Sequence, residues 1–486
     1  MNLRLLIRIV GLLLALIGVA MASCWAFAVA TQETQAAFAF SWSAGATFGA
    51  GLLLAAIGFS RNTTALRKEG IAIVGVGWLS CALFGALPFM LCEPQLSFFD
   101  AFFESMSGFS TTGATVINDI EAIPRSLALW RSIAQWLGGL GILVLFVALL
   151  STIGVGSKAL FRHESSASAS ESPQTRIRNT ALQLWAIYLA LSGICCVGLR
   201  SLGMDWYDAV NHAMTTIATG GFSTHTASVA YFDSWAIEMW MVVFMLLGSV
   251  NFLLYAGALE GRKKHRRREE ELPIFLAIWG VATLFVAVNL VASPEGPSIG
   301  ASFRQAVFQV TSIVTTSGFT TEDYESWPGF SVLILFALMV IGGCGGSTSG
   351  GIKINRWILF AKITRVQIVT SFRPNQIVSL KVNGATVSDQ ARAQTAFYIA
   401  LAATTAVIGA LCVSALEPTL DLVTIVSVTF ACLFNLGPAL GEAGPVESYS
   451  ELRPLTKMTL SLLMAVGRLE FFAILALFTP KLWRKY

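Results

Sequence analysis

Four short stretches decide how this chain is read: Ser110-Thr111-Thr112-Gly113-Ala114, Ala218-Thr219-Gly220-Gly221-Phe222, Thr315-Thr316-Ser317-Gly318-Phe319 and Phe434-Asn435-Leu436-Gly437-Pro438. They recur roughly every hundred residues, each between two long apolar stretches, as an internal repeat does. Aligned on the glycine they share, they read Thr-Thr-Gly, Thr-Gly-Gly, Thr-Ser-Gly and Asn-Leu-Gly. Glycine permits a positive φ there, so successive carbonyls can aim at one axis. Rings of carbonyls can replace the water shell of a dehydrated cation. Four copies in one chain suggest a ring of four around one hole. The candidate cation ligands are therefore Thr111, Thr112 and Gly113; Thr219, Gly220 and Gly221; Thr316, Ser317 and Gly318; and Asn435, Leu436 and Gly437.

Composition places this repeat in a membrane. Of 486 residues, 55% are hydrophobic and 12% charged, and the mean hydropathy is +0.69. A soluble domain carries about twice that charged fraction. The net charge of +4 is modest and points to no nucleic-acid partner. Eight cysteines lie in or beside apolar runs without CxxC spacing, and four histidines make no HExxH. They read as small buried hydrophobes, with neither a disulfide frame nor a zinc site. The apolar run that starts at Leu5 is too long for a signal peptide and reads as a retained helix.

Ten membrane-length spans are placed at 5–30, 37–59, 70–92, 127–152, 181–203, 234–258, 273–293, 329–371, 394–416 and 456–479. Shorter half-apolar segments lie near 99–110, 207–218, 303–315 and 421–434. They are too short to cross, so they should enter the membrane and turn back, and each runs into one glycine loop. Their C-terminal, partially negative ends should face the axis and favour a cation. Simple small-residue helix contacts do not explain four such matched helices. The fold expected is an all-α polytopic membrane protein with two extra N-terminal helices, 1–68. Four pseudo-repeats follow at 69–160, 179–260, 272–375 and 390–486.

Charge distribution orients this array. Arg61, Arg67 and Lys68, then Lys158, Arg162, Arg176 and Arg178, then Arg262–Arg268, Lys353–Arg392 and Lys481, Arg484 and Lys485 all fall on one face with both termini. By the positive-inside rule that face is cytoplasmic and the glycine loops open outward. The opposite face holds Arg125, Arg200, Arg304 and Arg453 among many acids, from Glu93 and Glu121 to Glu295, Glu325 and Glu447. Those acids form either a cation-concentrating vestibule or ordinary solvated loops. The Ser165–Ser172 stretch reads as a loose loop.

Three further features lie within the spans. The run Gly342-Gly343-Cys344-Gly345-Gly346-Ser347-Thr348-Ser349-Gly350-Gly351 interrupts the span at 329–371. It lacks the Gly-Lys-Ser/Thr ending of a phosphate loop and follows no strand. Irregular backbone at this depth is tolerated where it lines a cavity, so the run reads as a mobile gate across the pore, or else as a passive kink. Arg468, in the middle of the last span, must pair with another span or face the pore; the pore-facing reading is preferred. Arg131 and Gln135, one turn apart, are expected to face protein and brace the first glycine loop by hydrogen bonds.

These residues resemble the TrkH/TrkG/KtrB and plant HKT superfamily of potassium transporters. The likeness covers essentially the whole chain and includes Asp100-Ala101-Phe102-Phe103-Glu104-Ser105, Gly220–His225, Ser317–Thr321, Gly342–Lys353 and Gly467-Arg468-Leu469-Glu470. The two extra N-terminal spans look like the TrkH type rather than the shorter KtrB. The resemblance implies a gated K+ pore in a bacterial inner membrane, usually a homodimer, working with a cytosolic nucleotide-binding TrkA ring. It assigns filter glycines to Gly113, Gly221, Gly318 and Gly437, a gating loop to Gly342–Gly351, and a pore arginine to Arg468. Glycine at all four filter positions looks like potassium selection. Ala439 departs from the Pro-Gly that relatives commonly carry. The alternative is an H+- or Na+-coupled symporter, with Glu470 as the candidate coupling carboxylate. An enzyme or a scaffold finds no nucleophile–base set, metal cluster or cofactor loop to support it.

Overall fold

The computed structural model describes residues 1–59, 67–141, 173–259, 269–294, 296–375 and 379–483. Arg61, Lys158, Arg162, Ser165–Ser172, Arg262–Arg268, Glu295, Arg484, Lys485 and the far part of the 127–152 span lie outside the described residues, as do the side chains of Arg67, Arg176 and Arg178.

Helices α1 (Leu3–Ala30) and α2 (Thr34–Ile57) form an N-terminal hairpin. They touch backbone to backbone because glycine stands at each close approach. A Cβ on Gly11 would lie 2.4 Å from Ala55 N, and one on Gly51 2.4 Å from Ala15 N. Such small residues let helices associate in lipid, where apolar surface alone gives little drive.

The elements then recur four times. First come α3 (Arg67–Gly85), α4 (Leu87–Leu91), α5 (Phe98–Phe109) and α6 (Arg125–Trp136), with the π-helix Leu137–Gly141 directly after. Next are α7 (Pro173–Ser201), α8 (Trp206–Ile217), α9 (Trp235–Gly248) and α10 (Phe252–Leu259). The third set is α11 (Glu271–Val291), α12 (Ile299–Val314), α13 (Gly329–Leu338) and α14 (Ile354–Phe372), after which strands β1 (Lys381–Val382) and β2 (Ala385–Thr386) make a small hairpin. The fourth is α15 (Asp389–Leu416), α16 (Leu422–Leu433), α17 (Pro454–Arg468) and α18 (Phe472–Leu477), then α19 (Pro480–Trp483). The N-terminal hairpin is fastened to the first set by Glu33, whose carboxylate accepts from Arg125 N at 3.0 Å and Ser126 N at 3.1 Å at the start of α6.

Among the described residues, six helices are long and apolar enough to cross a membrane. They are the two N-terminal helices and the first helix of each set. In three of the four sets the last helix is broken, which corrects the continuous spans expected at 234–258 and 456–479. The first passes into the π-helix at Leu137. The second bends by 85° between Gly248 and Phe252. The third opens into the 339–353 loop, and the fourth breaks at Glu470 and Phe471, with φ of 54° and 65°.

A second repeat marks these breaks: Gln135-Trp-Leu-Gly138, Met245-Leu-Leu-Gly248, Met339-Val-Ile-Gly342 and Met464-Ala-Val-Gly467. In three of the four, the glycine admits the last carbonyl of a short helix. A Cβ on Gly138 would sit 2.0 Å from Phe109 O, one on Gly248 3.0 Å from Ile217 O, and one on Gly467 1.8 Å from Leu433 O. Bulk hydrophobicity hid the breaks, because the residues around them are as apolar as the spans.

Candidate functional site

The short helices α5, α8, α12 and α16 start and stop alike. Each begins at a polar cap, with Ser97, Asp205, Ser298 and Asp421 accepting the backbone N–H of Asp100, Asp208, Ala301 and Thr424. Such caps satisfy an orphan donor of the first turn. Each ends in a Schellman motif. The N–H groups of Thr112, Gly220, Ser317 and Leu436 reach back to Ser107, Thr215, Ser312 and Ala431 at 2.9, 2.9, 2.8 and 2.9 Å.

The left-handed residue of that motif is usually glycine; here it is Thr111, Thr219, Thr316 and Asn435, at φ of 55°, 51°, 55° and 56°. Two residues on, Gly113, Gly221, Gly318 and Gly437 are again left-handed, at 86°, 81°, 79° and 100°. A β-branched residue in this region costs about 1–2 kcal/mol, and strain of this kind collects at functional sites. Alternating hand turns successive carbonyls the same way.

The four loops close on one another in sequence order. A Cβ added to Gly113 would lie 2.2 Å from Gly220 O, one on Gly221 2.0 Å from Ser317 O, one on Gly318 2.2 Å from Leu436 O, and one on Gly437 2.6 Å from Thr112 O. Each glycine thus lies against the carbonyl of the next loop, and the fourth returns to the first. All twelve candidate ligands are brought together, with the left-handed residues buried at 0–1% exposure.

Each junction of the ring has its own brace. Between loops one and two, Arg131 pairs with buried Glu104 at 2.8 Å and donates to Ser223 O at 3.2 Å. One turn on, Gln135 Nε2 donates to Gly220 O at 2.5 Å, while its Oε1 accepts from Phe222 N at 3.1 Å. Arg131 thus braces the first loop, directly at Thr115 (3.2 Å) and through Glu104, which accepts from Val116 N at 3.0 Å, while Gln135 serves the second loop, which corrects the expectation that both brace the first. Between loops two and three, Ala230 N donates to Thr320 O at 3.3 Å. Tyr324 donates to Ala439 O at 3.3 Å between three and four. At the closing junction Asn435 Nδ2 donates to Thr112 Oγ1 at 3.0 Å, and Tyr449 N to Thr115 O at 2.9 Å.

The acids of this side are mostly employed. Asp205 and Asp421 are helix caps, Glu417 holds Arg453 N at 2.6 Å, and Glu325 holds Gly441 N at 2.5 Å. Arg304 pairs with Glu238 at 2.7 Å. His225 stacks on Tyr231 and lies between Asp208 (3.3 Å) and Glu121 (3.4 Å). Burial pulls the His225 pKa down, but its bond to Asp208 and the two carboxylate charges outweigh that and raise it above the ordinary histidine value.

On the other side of the ring, the 342–351 loop touches three of the four glycine loops or the helices that carry them. Thr348 Oγ1 donates to Ile217 O at 3.0 Å and Gly248 O at 2.9 Å, Gly350 N to Thr316 Oγ1 at 2.6 Å, and Gly351 N to Phe434 O at 2.8 Å. Two of these acceptors, Ile217 O and Phe434 O, lie at the negative ends of short helices, where a cation would otherwise be favoured. The loop is held from behind as well. Gly343 N donates to Ser349 Oγ at 3.0 Å, Gly345 N to Glu271 Oε1 at 2.6 Å, and Gly342 N to Ile352 O at 3.0 Å. Ser347 and Ser349 hydroxyls meet at 2.7 Å, and Gly346 O accepts from Phe252 N at 3.2 Å.

Arg468 connects this loop to the remaining, first set. Its guanidinium donates to Thr348 O, Gly138 O and Gly139 O, all at 2.7 Å. It makes no ion pair among the described residues, so its partners are carbonyls rather than a carboxylate on another span. Glu470, the carboxylate singled out for coupling, is taken by Arg356 at 2.6 Å. The cysteine expectation also needs correction: Cys412 is exposed and Cys196 half-buried, while the other six are buried, and all are free thiols.

A ring of four left-handed loops at the ends of four short helices, inside a bundle of membrane-length helices, defines a channel-like membrane transport protein. The chain belongs to the TrkH family of cation transport proteins, which it matches over residues 33–485. It is 38% identical over 489 residues to the Trk system potassium uptake protein TrkH of Halomonas elongata, and 36% identical over 501 residues to that of Vibrio parahaemolyticus; each alignment covers all of both chains. The crystal structure of the potassium transporter TrkH from Vibrio parahaemolyticus matches with a TM-score of 0.89 at 35% identity, again over all of both chains.

Of the site, the sequence gives no role to Glu104, which stands only among the residues of the resemblance, and none to Tyr449 or the Gln/Met-x-x-Gly repeat. The last was legible as a fourfold pattern, its glycine 24–30 residues after each loop glycine. The other two carry no signal in a single sequence.

Proposed function

We propose that this chain takes up potassium through a gated pore, with the four glycine loops as its selectivity filter. The single observation that carries this reading is the closure of the ring, in which each loop's glycine lies within reach of the next loop's carbonyl. Backbone carbonyls converging from four such loops match a weakly hydrated monovalent cation. Residues 111–113, 219–221, 316–318 and 435–437 supply the ligands, contributed by the units 69–160, 179–260, 272–375 and 390–486 behind the hairpin 1–68. The 342–351 loop and Arg468 form the closed gate. Potassium is the cargo, and the family relationship to named potassium transporters supports that choice.

The basic face and both termini lie in the cytoplasm of a bacterial inner membrane. The working unit is a homodimer docked on a cytosolic nucleotide-binding ring of the TrkA type. Coupled symport is not favoured, since Glu470 is held by Arg356. The test is growth of potassium-uptake-deficient cells on low potassium, with the chain and its ring co-expressed. Rescue that Gly113→Asp abolishes supports the filter; failure to rescue, or rescue that survives Gly113→Asp, contradicts it.

A further inference from the structure

Counting back three residues from Gly138, Gly248, Gly342 and Gly467 gives Gln135, Met245, Met339 and Met464. All four are buried at 0% exposure. One glutamine therefore stands where the other three units carry methionine, a side chain of similar length with no amide. Burying an amide in place of a thioether is unfavourable unless both its ends are bonded. Here they are: Nε2 donates to Gly220 O at 2.5 Å and Oε1 accepts from Phe222 N at 3.1 Å, which also fixes the amide orientation.

The carbonyl it reaches is one of the four that line up around the ring. Gly220 O corresponds to Thr112 O, Ser317 O and Leu436 O, each abutted by the glycine of a neighbouring loop. Among the described residues, no protein donor reaches those other three. The second loop also differs in sequence at this place, with glycine where the others have Thr112, Ser317 and Leu436. The reason is on the same side chain: a Cβ at 220 would lie 2.4 Å from Gln135 Cδ. Gln135 and Gly220 are a matched pair.

We propose that Gln135 is a positioning residue that determines specificity, weakening one carbonyl of the four by sharing it with an amide donor. This rests on the filter reading. Discrimination between K+ and Na+ depends on the number and field strength of the carbonyls. A carbonyl that already accepts an N–H offers less charge to an ion and turns less freely toward it. The site then holds its ion with three full ligands and one shared. Moderate affinity and faster release follow, with looser ion discrimination.

Gln135→Met makes the first unit like the other three and frees Gly220 O. The measurement is uptake of K+, Rb+ and Na+ by full-length protein in proteoliposomes, giving KM and maximal rate for each. The expected result is a K+ KM lowered about fivefold, as loss of one hydrogen bond to the carbonyl implies, with a higher K+/Na+ ratio and a lower maximal rate. A purely structural glutamine would change the maximal rate and leave KM and ion ratio alone; that result overturns the proposal.

If Gln135→Met is not recovered from membranes, a pair of variants carries the test. Gly220→Ser clashes with Gln135 and should abolish uptake. Gly220→Ser with Gln135→Ala has room, and should recover uptake with the ion ratio shifted in the same direction. Recovery with the wild-type ratio overturns the proposal, as does failure to recover. A wild-type chain that passes none of the three cations overturns the filter reading and, with it, this inference; wild-type K+ uptake with unchanged ratios in the variants overturns this inference alone.

Discussion

The two halves of the pore axis are built on opposite principles. On the loop side, four segments share one kind of helix cap, one left-handed stop and one glycine contact, differing mainly in their side chains. On the other side, the four last helices depart from a regular α-helix in four different ways: a π-turn, an 85° bend, a long glycine loop and a pair of left-handed residues. The difference follows from what each half must do. On the proposed filter reading, four carbonyls must reach one ion, so the backbone is copied, and only the Gln135 bond sets Gly220 O apart. The gate proposed there needs one element that moves against others that hold, and four copies would not supply it. The loop at the third break donates to the ends of the second and fourth short helices at Ile217 O and Phe434 O, and to the second break at Gly248 O. Arg468 ties it to the first.

The largest effect should come from breaking the copied half. Gly221→Ala places a methyl 2.0 Å from Ser317 O on a backbone at φ 81°. Strain of about 1–2 kcal/mol and a displaced carbonyl together should lower potassium uptake roughly a hundredfold, measured as uptake rate per molecule in the membrane. Retained uptake would mean that the glycine contacts are incidental.

Breaking the unequal half should raise flux instead. Arg468→Gln removes a cation from three carbonyls. Charge-assisted bonds are each worth about 1.5–3 kcal/mol, so release of the loop should give at least a tenfold rise in flux without the regulatory ring. A variant as tight as the wild type would remove Arg468 from the closure. A smaller effect of the same sign is expected for Thr316→Val, which keeps the shape and deletes the acceptor of Gly350 N. One neutral hydrogen bond of about 1 kcal/mol corresponds to a basal flux about fivefold higher, read in the same liposome assay.

The smallest effect sharpens the outer rim. His225 sits between Asp208 and Glu121 and its pKa is raised, so the protonated brace is complete below the ordinary histidine value. It is lost as pH rises through the raised value, leaving two carboxylates facing each other. Wild-type uptake should change by about twofold across that external pH window, and His225→Gln should flatten the profile. A variant with an unaltered profile would rule out this site as the titrating group.

Much of this was legible in the sequence because the repeat is written in chemistry. The four glycine loops, the short helices before them and the 342–351 run stand out through spacing and composition. What escaped did so for identifiable reasons. The inner breaks lie in residues as apolar as a span, so hydropathy read them as continuous. The sequence shows Gln135 as protein-facing and points to the first loop, the nearer in the chain, while the bundle brings α6 against the second. For Arg468 the sequence offers a carboxylate or the open pore; the nearby irregular backbone exposes carbonyls, which it takes instead. Ala439 is buried, and its carbonyl accepts from Tyr324, so the departure at that place is absorbed by the rim between loops three and four.

The central claim is that four loops make one cation site. Anomalous diffraction from crystals of the full-length protein in RbCl tests it most directly. The account predicts Rb+ density on the axis, coordinated by the carbonyls of the 111–113, 219–221, 316–318 and 435–437 segments, and absent in Gly221→Ala. An axis without density at that level, or an ion bound by side-chain carboxylates elsewhere, would contradict it.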